Sequence, residues 1–119
     1  MPKVLFIITS DPRTSARPAE AIRIAAGVAV WKQIELTVYL KGPAVLALSG
    51  EVESLLDAEN YGLYLPILRD LGRPIYVENG ASGLEDSGTR AAVCPIKFEC
   101  IDDAQLAAMA AASSHILRF

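Results

Sequence analysis

The sequence predicts an α/β fold, a parallel sheet with helices on both faces, and three observations predict it. Five strand-like segments alternate with helical patterns along the chain. The first of them, "KVLFIIT" (3–9), is continuously apolar and rich in branched residues, the mark of a strand buried on both faces. No internal repeat or low-complexity segment breaks the alternation. At 119 residues the chain reads as a single domain, 1–119.

The elements follow in order. After "KVLFIIT" comes the polar turn "SDPRTSARP". "AEAIRIAAGVAVW" (19–31) carries Ile22, Ala25, Ala26 and Ala29 at helical spacing, and its small residues suit close packing on a sheet. "IELTVYL" (34–40) is the second strand, stopped by Lys41-Gly42-Pro43, and "PAVLAL" forms a short helix. Residues 49–62 are polar and read as a loop or an irregular helix. "LYLPILRDLG" has Leu63, Ile67 and Leu71 four apart, with Gly72 as the C-terminal cap and Pro66 expected in the first turn. "PIYV" (74–77) is the third strand, and "ENGASGLEDSG" a turn with a short, weak helix. "IKFECI" (96–101) alternates Ile96, Phe98 and Cys100 on one face as the fourth strand. Asp102 and Gln105 form a variant capping box for the helix "AQLAAMAAAS", and "HILRF" (115–119) is the fifth strand.

Composition narrows the function classes. Residues of the AVILMFWYC set make up 52% of the chain, and Ala alone supplies 18 positions. A small domain cannot hide that much apolar sequence, which predicts a homo-oligomer. The net charge is −3 and the basic residues are scattered without interleaved aromatics, which argues against nucleic acid. The N-terminal apolar run is too short for a signal-peptide core or a membrane span, so the expectation is a cytoplasmic protein with no membrane association. Two cysteines in a reducing compartment read as thiols. With one His and no ligand-type spacing, no metal site and no cofactor are predicted.

Open parallel α/β sheets bind ligands beyond the carboxyl ends of their strands, so the candidates are the strand-to-helix turns. After the first strand, Ser10 and Arg13 lie in a turn that opens a helix, an arrangement suited to an anion. Without glycine and Gly-Lys-Ser/Thr it is not a P-loop, and a solvated turn with Thr14 or Ser15 near the helix cap is the favoured reading. Gly42 ends the second strand, and Glu78, Asn79 and Gly80 follow the third. A carboxylate at 78 complements a helix start, and a capping or solvated role is favoured over a functional one. Cys94, before Pro95, belongs at the opposite end of the sheet and reads as structural. Cys100 belongs at the functional rim. It shares a face with Phe98, which favours a buried inert thiol, while Asp102 and Asp103 oppose the thiolate and the helix N-terminus supports it. His115 begins the last strand, away from the rim.

"KVLFIIT" with "AEAIRIAAG", "VYLKGPAV" and "LAAMAAASSHILRF" together resemble the DsrE/DsrF-like family, which includes TusD-like proteins of the sulfur relay. The resemblance spans nearly the whole chain. It implies a three-layer α/β/α fold with a five-stranded parallel sheet in the order 4-3-2-1-5. It also implies assembly into dimers, trimers or hexamers, with sulfur-relay proteins as partners. In sulfur-transferring members a persulfide-carrying cysteine ends the third strand. The matching stretch here is "IYVENGASG", and that position falls on Glu78. Two readings follow. One is a non-catalytic scaffold or small-ligand-binding subunit of sulfur metabolism. The other is a sulfur carrier in which Cys100, on the neighbouring strand about 4.8 Å away, replaces the missing thiol. A phospho-receiver domain is a further alternative. Asp11 and Glu78 loosely match its acidic positions, but the lysine after a fifth strand is missing.

Overall fold

In a computed structural model, the described residues are 2–48, 54–79 and 98–119. They form strands β1 (Lys3–Ile8), β2 (Glu35–Leu40), β3 (Ile75–Glu78), β4 (Glu99–Ile101) and β5 (His115–Arg118). The helices are α1 (Arg17–Ala29), α2 (Glu59–Asp70) and α3 (Asp103–Ala112), with a 3-10 helix at Gly42–Leu48. All pairings are parallel and the strand order is β4-β3-β2-β1-β5, the predicted order of a three-layer α/β/α fold. A receiver domain instead places its first strand between the second and third, so this topology rules that alternative out.

The register divides the side chains between two faces. Val4, Phe6, Ile8, Leu36, Val38, Leu40, Ile75 and Val77 join α1 and α2 in the main core. Leu5, Ile7, Tyr39 and Ile101 form a smaller cluster beneath Leu106, Met109 and Ala110 of α3. This explains the unbroken apolar run of β1, whose residues 4–8 are buried on both faces.

Helix α1 begins two residues before its predicted start, with Pro18 in its first turn and the Ser15 hydroxyl accepting the Arg17 N–H at 3.1 Å. Ile22, Ala25, Ala26 and Ala29 are buried as expected, and the small residues let α1 approach both the sheet and α2. Helix α2 differs from expectation. It starts at Glu59, so Pro66 lies inside the helix and not in its first turn. Proline lacks the N–H that position 66 would donate to Gly62. Burial of Tyr61, Leu65 and Leu68 on one stripe holds the helix across that gap. Its end is as predicted. Gly72 sits at φ +67°, its N–H reaches Arg69 O at 3.0 Å, and the Arg73 N–H reaches Leu68 O at 3.0 Å. That paired closure needs the left-handed residue glycine supplies.

The predicted capping box of α3 is formed. The Asp102 carboxylate accepts the Gln105 N–H at 2.8 Å, and the Gln105 side chain accepts the Asp102 N–H at 2.9 Å. No described helix is long and apolar enough to cross a membrane. The weak helix expected in "ENGASGLEDSG", and with it Gly80 and Cys94, lies outside the described residues.

Candidate functional site

After β1, Arg13 is committed to Asp11. Its backbone N–H and Nε reach Asp11 Oδ1 at 2.9 and 3.0 Å, and Nη2 reaches Oδ2 at 2.9 Å. These bonds hold the Asp11 carboxyl below the ordinary carboxylate range. The guanidinium that suggested an anion site therefore already carries a carboxylate. Ser10 turns its backbone N–H to Phe119 O at 3.3 Å, beside Thr9 at 2.9 Å, which ties this turn to the end of β5.

After β2, Gly42 adopts φ +58°, a conformation glycine takes without strain. Its N–H donates to Glu78 Oε1 at 3.0 Å, and Lys41 Nζ lies 3.8 Å from Glu78 Oε2. Glu78 is therefore neither a helix cap nor merely solvated. It is a part-buried carboxylate clasp between the ends of β2 and β3. The donors that would meet an external anion at this turn meet an internal one. Asn79 is exposed and continues the sheet, donating its N–H to Ile101 O at 2.9 Å.

Tyr39 completes this side of the rim, and sequence reasoning did not single it out. It is fully buried on the α3 face, and its hydroxyl has no hydrogen-bond partner among the described residues. Burial pushes the phenol pKa up, and the charges of Glu78 and Asp103 push it further in the same direction. The signal that could have found it is strand parity, because Tyr39, Lys41 and Glu78 share one face.

Cys100 does not join them. It is an exposed free thiol, which corrects the expectation of a buried one. An edge strand leaves one flank without a neighbour, so sharing a face with buried Phe98 does not bury it. Register also corrects its placement. Cys100 pairs with Val77 and faces the α1–α2 side, while Glu78 pairs with Ile101 on the α3 side. Strand spacing brings the two residues near each other, but the pleat turns them to opposite faces. His115 is exposed at the amino end of β5, as expected. Among the described residues no cluster of three His, Cys, Asp or Glu could hold a metal ion.

Replacing Glu78 by alanine should leave the fold intact and cost about 1 kcal/mol, the worth of one ordinary hydrogen bond with a half-exposed ion pair. Chemical denaturation measures it. A loss above roughly 3 kcal/mol would mean that the clasp holds the whole rim together.

No protein-family model matches the chain, and no curated protein sequence does. Among solved structures it is similar to the ychN protein from E. coli, a protein of DsrE/TusD-like fold, with a TM-score of 0.79. The match covers 100% of both chains at 18% sequence identity, and at that identity the likeness is one of fold.

Proposed function

We propose that this chain is a DsrE-like protein of sulfur metabolism that acts as a non-catalytic scaffold or small-ligand-binding subunit, as a homo-oligomer beside sulfur-relay partners in the cytoplasm. One observation carries the reading. At the end of β3, where the resemblance calls for a thiol, Glu78 spends its carboxylate on Gly42 and Lys41. A carboxylate cannot carry a persulfide, and an internal anion at this turn disfavours an anionic sulfur species. The binding role falls to Gly42, Glu78 and Asn79 at the rim, with Ser10 and Arg13 on the neighbouring turn, while Gly80, next in sequence, lies outside the described residues.

The exposure of Cys100 favours a second reading, a carrier that uses this thiol. In that chemistry the Cys100 thiolate attacks the terminal sulfur of a donor persulfide. The donor's S–S bond breaks, its thiolate leaves, and a new S–S bond forms on Cys100. The test is incubation with a cysteine desulfurase and its substrate, followed by mass measurement of the intact protein and its peptides. The scaffold reading expects no added sulfur on either cysteine. One sulfur on the Cys100 peptide, lost in Cys100→Ser, would replace it with the carrier.

A further inference from the structure

Helix α3 is held more lightly than α1 or α2. Seven residues of α1 and three of α2 are buried, and none of α3 is. Its docking rests on Leu106, Met109 and Ala110, each only partly buried against the small cluster of Leu5, Ile7, Tyr39 and Ile101. An element with so little buried apolar surface separates from its domain at a low free energy.

The helix is tethered at its two ends. The Asn79 N–H donates to Ile101 O at 2.9 Å just before the capping box, and the Ser114 N–H donates to Lys3 O at 2.7 Å just past the last turn. Asp102 and Ser113, which flank the helix, both have extended backbone. Between these points no hydrogen bond or ion pair among the described residues joins α3 to the sheet. The strands it connects, β4 and β5, are the two edges of the sheet. Detaching α3 therefore breaks no pairing among β1, β2 and β3, and α1 and α2 still cover their other face. At ten residues α3 is also shorter than the about 12–15 that an isolated helix needs in water, so once off the sheet it loses its internal hydrogen bonds.

The closed form carries a cost beneath the helix. Tyr39 is fully buried there, and its hydroxyl has no hydrogen-bond partner among the described residues. Hydration removes the penalty of a buried unsatisfied hydroxyl, so this group favours the open form. Tyr61 carries the same defect on the opposite face, in the core under α1 and α2, where an opening of α3 does not reach it.

We propose that α3 is a flap that opens while the rest of the domain stays folded, uncovering the Tyr39 face of the sheet. Lys41 and Glu78 share that face, so the flap adjoins the rim. Its role as a gate rests on the small-ligand reading above, whereas its opening does not.

Amide hydrogen exchange of the native chain, followed residue by residue, tests it. After correction for intrinsic rates, the amides of Met109 and Ala110 should exchange at least about 100-fold faster than those of Ala25 and Ala26 in α1. Tyr39→Phe removes the group that opening hydrates, and should slow exchange in α3 about fivefold. Tyr61→Phe should slow exchange in α1 by a similar factor and leave α3 unchanged, because position 61 stays buried in the closed and open forms alike. Equal protection of α3 and α1 would overturn the flap. Slowing of α3 by Tyr61→Phe would do the same, since α3 would then leave only when the whole domain unfolds. Fast exchange in α3 that Tyr39→Phe does not slow would mean that the helix frays without uncovering Tyr39, which also overturns the proposal.

Discussion

Arg73→Ala should destabilise the protein by about 2–3 kcal/mol and lower its melting temperature by about 10 °C. The side chain lies just past the α2 cap and reaches back under α1. Its Nε and Nη2 donate to Ala29 O at 3.1 and 2.6 Å, Nη2 also to Trp31 O at 3.0 Å, and Nη1 to Ile34 O at 2.9 Å. Helix α1 has no basic residue in its own last turn. The last carbonyls of a helix lack intrahelical partners, and a cation at that end also complements the macrodipole. One guanidinium thus closes α1 and fixes the turn into β2. Arg73→Lys keeps the charge but not the planar fork, and should recover less than half of the loss. Urea unfolding of both variants measures the effect. A loss for Arg73→Ala below roughly 0.5 kcal/mol would show that water serves these carbonyls equally well.

Tyr61→Phe should act in the opposite direction and raise stability by about 1 kcal/mol at neutral pH. Tyr61 is fully buried in the main core, and its hydroxyl has no hydrogen-bond partner among the described residues. A buried unsatisfied polar group costs about 1–3 kcal/mol, and phenylalanine keeps the ring while removing the group. Burial, with a smaller push from Asp57, raises the phenol pKa far above its ordinary value near 10. The neutral phenol is therefore the form that the folded state favours. Its contribution is complete below pH about 10 and is lost as pH rises from there toward the folded pKa. Native protein should weaken by up to about 1.4 kcal/mol per pH unit above that point for this group. Tyr61→Phe should move alkaline unfolding to higher pH, and adding Tyr39→Phe should move it further. Equilibrium unfolding across pH 9–12 measures it. A destabilised Tyr61→Phe at neutral pH would mean that the hydroxyl is satisfied within the core, as by a buried water.

Much of the rim could be located from local pattern. Glycine punctuates the turns, at Gly42 on the rim and at Gly72 at the opposite end of the sheet, both at positive φ. The capping box at Asp102 and Gln105 is a three-residue signal that needs no tertiary context. The identity of β1 as a strand buried on both faces followed from its unbroken apolar run. What local pattern missed has a common cause, which is partner choice across long sequence separations. Glu78 and Gly42 are 36 residues apart, and Arg73 and Ala29 are 44 apart. The start of α2 was missed because polar residues 59–62 carry little periodicity, while the burial of Tyr61 against α1 decides it.

The sequence by itself determined the alternation of elements, the continuous burial of β1, the helix ends at Gly72 and Asp102, and the thiol-free end of β3. Each rests on backbone sterics, hydrogen-bond capping or apolar periodicity, which act within a few residues. Only the tertiary structure decided that Glu78 clasps Gly42 and Lys41, that Arg13 is already paired, and that Cys100 and Glu78 face opposite sides of the sheet. The last follows from register, a property of two strands joined across a crossover. With a side-chain period of two, a one-residue offset is enough to turn a thiol away from the site that its neighbour lines.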